Sequence, residues 1–191
     1  MFTGIVQAVG RIVRTNPLEI DVAGLDLADV AVGDSICVQG VCLTATAIRP
    51  RGFTADVSAE TLRVTTGLER PGAVNLEKSL ALGGKLGGHL VTGHVDGVGE
   101  VLRRAGSVVA VRVPQPLAKY VAAKGSICID GVSLTVNRIE SGVDGDSFDV
   151  NLIPHTLEVT TLSRLAPGVR VNLEVDLIAR YVERMLPGNG G

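Results

Sequence analysis

The chain contains one unit written twice, and such a chain folds either as two similar halves or as a repeat array. Thr3-Gly4-Ile5-Val6-Gln7-Ala8-Val9-Gly10 returns as Thr92-Gly93-His94-Val95-Asp96-Gly97-Val98-Gly99, 89 residues later. Ser35-Ile36-Cys37-Val38-Gln39-Gly40-Val41-Cys42-Leu43-Thr44 returns as Ser126-Ile127-Cys128-Ile129-Asp130-Gly131-Val132-Ser133-Leu134-Thr135, at an offset of 91. Thr61-Leu62 and Thr65-Thr66 reappear as Thr156-Leu157 and Thr160-Thr161, and Asn75-Leu76-Glu77 as Asn172-Leu173-Glu174, at offsets of 95 and 97. The order is kept and the offset grows in small steps, as a duplication with short loop insertions in the second copy requires. Two copies are too few for a solenoid, so two separately closed units are expected. The glycine-rich run Gly83-Gly84-Lys85-Leu86-Gly87-Gly88 has little to bury and marks the linker, which places the halves at 1–88 and 89–185.

A chain of 191 residues with 46% hydrophobic content gives each half enough apolar surface for its own core. Within each half, short β-branched runs alternate with turn signals: Ser35-Ile36-Cys37-Val38 and Ala73-Val74-Asn75-Leu76 in the first, Ser126-Ile127-Cys128-Ile129 and Phe148-Asp149-Val150-Asn151-Leu152 in the second. Roughly six such strands per half predict an all-β protein of two tandem, small closed barrels, a closure that leaves no sheet edge open. One segment departs from this pattern. Ile178, Val182 and Met185 recur at helical spacing between the capping Asp176 and Pro187, which predicts a C-terminal helix over about 176–186 and a flexible tail over 187–191. That helix either packs on its own barrel or forms an oligomer contact.

Several function classes lose ground on composition. A net charge of −2, from 18 basic and 20 acidic residues, offers no basic stripe for a phosphate backbone. The N-terminus lacks the charged and then apolar pattern of a secretory signal, and no apolar run approaches the ~20 residues of a membrane span. Cys37, Cys42 and Cys128 form no C-x-x-C pair, which argues against a disulfide framework or a thiolate zinc site and fits a reducing cytoplasm. His89 and His94 are five apart and face opposite ways on an extended strand, and no His/carboxylate ligand spacing occurs, so no metal is expected. Nucleophile-elbow, Walker and dinucleotide motifs are absent from the sequence.

The two copies serve as an internal control, because residues they share serve the fold and differences at matched positions are functional candidates. Cys37 and Cys128 match each other and are expected in the core. Cys42 stands opposite Ser133 in the frames Gly-Val-Cys-Leu-Thr and Gly-Val-Ser-Leu-Thr, His94 replaces Ile5, and His155 replaces Glu60. Strand alternation puts Cys42 with Thr44 on one face, and Ser133 with Thr135, leaving Leu43 and Leu134 on the other. On spacing alone these polar pairs suit a buried strand with a satisfied Thr better than a site.

Together these residues resemble the riboflavin synthase family. The resemblance rests on Met1-Phe2-Thr3-Gly4-Ile5-Val6, Gly-Val-Cys-Leu-Thr at 40–44, Gly-Gly-His-Leu-Val-Thr-Gly-His-Val at 87–95, Asp-Gly-Val-Ser-Leu-Thr-Val at 130–136 and Leu-Ile-Pro-His-Thr-Leu at 152–157. It implies two tandem six-stranded Greek-key barrels, each binding a lumazine, and a cytoplasmic homotrimer assembled through the C-terminal helix. It also implies dismutation of two 6,7-dimethyl-8-ribityllumazine molecules to riboflavin and 5-amino-6-(D-ribitylamino)uracil, without cofactor or metal. Lumazine synthase is an implied partner.

By motif position the resemblance puts Phe2, Gly4, Ile5, Val6, Cys42, Leu43, Thr44 and the run Asp56, Val57, Ser58, Ala59, Glu60 and Thr61 around a first pocket. A second pocket takes Gly93, His94, Val95, Lys124, Ser133, Leu134, Thr135 and the run Asn151, Leu152, Ile153, Pro154, His155 and Thr156. The implied chemistry assigns proton removal to His94 with Ser133 and Thr135, acceptor activation to Cys42, and charge steering to Lys124 and Asp130, with Phe2 closing over a ring. The main rival is a non-catalytic lumazine- or flavin-binding antenna protein of the same fold. Such a protein is expected to have lost polar site residues that are present here.

Overall fold

The computed structural model describes residues 1–22, 24–142 and 145–186. The expected tail, 187–191, lies outside the described residues. Alternating burial shapes the first half. In β1 (Ala8–Thr15) Ala8, Gly10 and Ile12 point inward, and in β4 (Val41–Arg49) Val41, Leu43 and Ala45 do so. These strands, with β2 (Leu18–Asp21), β3 (Ser35–Val38), β5 (Gly52–Ala55) and β6 (Gly72–Lys78), close into an antiparallel barrel in the order β1-β2-β5-β4-β3-β6. Its core gathers Ile12, Ile20, Ile36, Phe53, Val74 and Leu76.

The second half repeats the design with β7 (Gly97–Ala105), β8 (Val108–Arg112), β9 (Ser126–Ile129), β10 (Val132–Gly142), β11 (Gly145–Asn151) and β12 (Arg170–Val175). Its closed order, β7-β8-β11-β10-β9-β12, is that of the first barrel strand for strand. The expected all-β architecture of two six-stranded barrels is therefore the observed one. Short helices α1 (Ala59–Val64) and α2 (Pro154–Val159) occupy matching places before the last strand of each barrel.

The barrels meet through the residues that the copies share. Glu77 of β6 accepts from the Thr3 amide at 2.7 Å, the Thr3 hydroxyl at 2.6 Å and the Gly4 amide at 2.9 Å. Glu174 of β12 accepts from Thr92 and Gly93 in the same way. Burial raises both carboxyl pKa values against the pull of these donors. The Asn before each Leu-Glu reaches the other barrel: the Asn75 amide group donates to the Asp130 carbonyl at 2.8 Å, and that of Asn172 to the Gln39 carbonyl at 2.9 Å. Phe2 and Val91 form an antiparallel bridge on the pseudo-twofold axis and pack with Cys37 and Cys128.

The final helix, α3 (Leu177–Met185), is capped by Asp176, whose carboxylate accepts from the Ile178 amide. Its polar side is tied to the second barrel by Arg180 on Asp96 at 2.6 Å and by Lys119 on Glu183. Its apolar side is bare: Ile178 is 62% exposed, Val182 51% and Met185 77%. Of the two sequence expectations for this helix, packing of that face on its own barrel is the one the structure overturns. No helix of the described residues is long and apolar enough to cross a membrane.

Candidate active site

Two matched sites lie where the start of the fourth strand of each barrel meets a segment belonging to the other half. In the first, the Cys42 amide donates to the Gly93 carbonyl at 2.8 Å. Gly93 has φ of +78°, and a Cβ there would lie 2.7 Å from the Cys42 Cβ, so the close approach demands glycine. In the second, the Ser133 amide donates to the Gly4 carbonyl at 2.8 Å, and a Cβ on Gly4 would lie 2.6 Å from the Ser133 Cβ. Val95 packs on the first core and Val6 on the second. The flanking segments are thus exchanged relative to the sequence expectation. Gly93-His94-Val95 borders the Cys42/Thr44 site, and Gly4-Ile5-Val6 borders the Ser133/Thr135 site.

The exchange changes the partners of the histidines. His94 follows Gly93 on the Cys42 side and is exposed, with its amide donating to the Thr92 hydroxyl. The imidazole on Ser133 is that of His89, whose Nδ1 lies 2.6 Å from the Ser133 Oγ. His89 is only 8% exposed, and its Nε2 is buried without a hydrogen-bond partner among the described residues. Burial lowers its pKa, opposed by the Asp176 carboxylate, so the ring is held toward the neutral form, in which one nitrogen accepts a proton. Sequence reasoning weighed His89 only as a metal ligand. The copy comparison could not single it out, because an offset of 89 maps it ahead of Met1.

The remaining expected residues divide. Thr44, Thr135, Ile5 and Lys124 are exposed beside these sites, and Val57 and Leu134 are half-buried against the two cores. Lys124 holds φ of +68° where the first copy has Gly33, and its amide donates to the Val136 carbonyl at 2.7 Å. A lysine kept in a conformation that favours glycine carries a backbone cost, as residues held for function often do. Asp56, Ala59, Asn151, Ile153, Pro154 and His155 lie exposed at the ends of β5 and β11 and the starts of α1 and α2, with Thr156 half-buried in α2. Ser58 caps α1 by accepting from the Thr61 amide, and Glu60 is paired with Arg63.

Four expectations are corrected by burial. Phe2 is fully buried in the inter-barrel cluster and cannot close over a ligand ring. The Leu43 and Leu152 side chains point into the two barrel cores. Asp130 sits in the β9–β10 turn, where its carboxylate accepts from the Asn172 amide at 2.8 Å; burial raises its pKa to about 7. It belongs to the inter-barrel contact, where it serves the joint rather than the Ser133 site. The described residues contain no cluster of His, Cys, Asp or Glu able to hold a metal ion.

Comparison with known proteins agrees with the duplicated geometry. The lumazine binding domain pattern matches residues 3–79 and 92–176. Riboflavin synthase of Mycobacterium tuberculosis strain H37Rv is 50% identical, with 100% of both chains covered. The chain belongs to the riboflavin synthase family. The Photobacterium phosphoreum and Bacillus subtilis riboflavin synthases are 44% and 40% identical, each over 97% of this chain and 89% and 90% of their own. A solved structure of LumP complexed with 6,7-dimethyl-8-(1'-D-ribityl) lumazine superposes with a TM-score of 0.76 at 27% identity, covering 92% of this chain and 99% of that one. This chain thus shares its barrel pair with a protein whose solved structure holds that lumazine.

Proposed function

We propose that this chain is a riboflavin synthase, transferring a four-carbon unit between two molecules of 6,7-dimethyl-8-ribityllumazine to give riboflavin and 5-amino-6-(ribitylamino)uracil. The observation that carries the reading is the presence of two sites with the same backbone frame and different side chains, Cys42 against Gly93 and Ser133 against Gly4. A reaction between two copies of one substrate needs two like pockets with unlike chemistry. Holding the pair face to face contributes on the order of 7–11 kcal/mol when the alignment is good.

The substrate supplies its own electron sink, since the anion left at its 7-methyl carbon spreads into the pteridine ring. The protein then needs a proton acceptor and donors aimed at the developing charge. In the second pocket Ser133, backed by neutral His89 and flanked by Thr135, takes the methyl proton, and Lys124 steadies the negative charge. In the first pocket Cys42 activates the acceptor, with His94 and Thr44 beside it. Each pocket is built on the fourth strand of one half, 1–88 or 89–185, and is bordered by a segment of the other. The Phe2–Val91 bridge is buried between the barrels, and in this proposal each pocket works with one from another chain. The bare face of α3 supplies the contact for a homotrimer, acting in the cytoplasm with lumazine synthase as a partner.

The similarity to LumP keeps one rival in view, a carrier that binds the lumazine without converting it. Mixing the purified protein with 6,7-dimethyl-8-ribityllumazine alone separates the two. Riboflavin and the pyrimidine appearing in equal amounts supports the synthase, and stable fluorescent binding without turnover supports the carrier. Cys42→Ala and His89→Ala, measured separately, are expected to lower turnover about 100-fold or more while substrate binding persists. Full turnover in both variants overturns the residue assignment.

A further inference from the structure

The turn between β3 and β4 has two residues, Gln39 and Gly40, both at positive φ. Val38 and Val41 therefore form the hydrogen-bonded pair that closes the hairpin, and the next pair outward, Cys37 opposite Cys42, is a non-hydrogen-bonded one. The Cys42 amide bears this out by donating away from β3, to the Gly93 carbonyl. In such a pair the Cα atoms stand about 4.5 Å apart with both side chains on one face, inside the window of roughly 4.4–6.8 Å that a disulfide spans. Ile36, Val38, Val41 and Leu43 point into the barrel, so Cys37 and Cys42 share its outer face and meet in one cluster with Phe2, Val91 and Cys128. Both are free thiols; Cys37 is buried and Cys42 lies half-buried against Gly93. The second barrel sets Cys128 opposite Ser133 and lacks the pair.

We propose that Cys37 and Cys42 are an oxidative modification site, closed to a disulfide by a peroxide and reopened by a small thiol. Cys42, the accessible partner, attacks the peroxide; its sulfur becomes a sulfenic acid as the O–O bond breaks and one water leaves. The Cys37 sulfur then displaces the sulfenic oxygen as a second water. In all, two thiols lose two electrons and two protons, and one hydrogen peroxide becomes two waters. Burial raises the Cys37 thiol pKa, which keeps first attack on Cys42. A Cα separation near the short end of the window makes the bond easily reduced, the behaviour of a reversible link rather than a structural one. The effect on turnover rests on the role proposed for Cys42; the bond itself does not.

Trypsin tests this directly, because Cys37 and Cys42 fall in one peptide, 15–51, the Arg49–Pro50 bond being resistant, and Cys128 in another, 125–138. The full-length protein is treated with hydrogen peroxide, its remaining thiols are alkylated under denaturing conditions, and the digest is weighed. The expected result is peptide 15–51 unalkylated and lighter by two hydrogens, with Cys128 alkylated. In Cys128→Ala the closure is expected to persist. In Cys37→Ala it is lost, and thiol treatment no longer restores the turnover that peroxide removes. Two alkylated cysteines in peptide 15–51, or a 15–51/125–138 cross-link, overturns the proposal. A closed peptide with full turnover leaves the modification site standing and removes Cys42 from the chemistry.

Discussion

Gln39 and Asp130 occupy the same turn position in the two copies, each in the left-handed region at φ of 51° and 50°. The first is neutral, and the second is a carboxyl whose pKa is raised by burial from 3.8 to about 7. The native state therefore binds this proton more tightly than the unfolded chain does. The associated stability is fully present below pH ~4, declines as pH rises toward the native pKa, and is gone above it. Asp130→Asn keeps the left-handed preference and removes the titration. In urea melts the variant is expected to gain on the parent by on the order of 1–3 kcal/mol at pH 8, with a smaller difference at pH 5. Equal stability gaps at the two pH values count against the assignment. Glu77 and Glu174, raised by the same burial, leave a residual slope of the same sign in both proteins.

At the scale of elements, the joint between the barrels is made by two hairpin turns set back to back. A Cβ on Gly131 would come 2.9 Å from the Gly40 amide nitrogen, and one on Gly40 would come 2.8 Å from that of Gly131. Gly131→Ala meets both a strained backbone at φ of +81° and a backbone contact that cannot swing aside. A loss of about 2–4 kcal/mol, read as a fall in denaturation midpoint, is expected. An alanine at the open Gly106, φ of +61° with nothing nearby, is expected to cost only about 1 kcal/mol. The sequence already marked the turn glycines Gly40 and Gly131 and the Asn-Leu-Glu runs as shared and therefore structural, and the strand count and barrel class followed from local alternation. That alternation also opposed Leu43 to Cys42, so the inward placement of Leu43 was readable even though motif position had put it in the pocket. The exchange of Gly4 and Gly93 between barrels left no local trace, because each pairs with a strand far away in the chain. His89 was hidden for a related reason: the first copy has no residue there to compare.

The whole molecule leaves two things open, both pockets and the apolar side of α3. Arg180, Lys119 and Tyr120 hold the helix by its polar side, through Asp96 and Glu183, and so fix which side faces away. Ile178, Val182 and Met185 then form one stripe at i, i+4 and i+7. A stripe presented by a firmly anchored helix suits association of copies better than a loose end does. If pockets react only in pairs drawn from different chains, breaking that contact removes turnover without removing binding. Ile178→Asp with Val182→Asp places two charges on the stripe and touches neither the pockets nor the Asp96 anchor. Sedimentation is expected to show monomers, and lumazine titration to show binding within a few-fold of the parent. Turnover is expected to fall at least about 100-fold at dilute protein, the share of the rate that depends on holding two substrates together. A monomeric variant that keeps full turnover at every protein concentration means that one chain brings two lumazines together by itself, and the inter-chain site is then wrong.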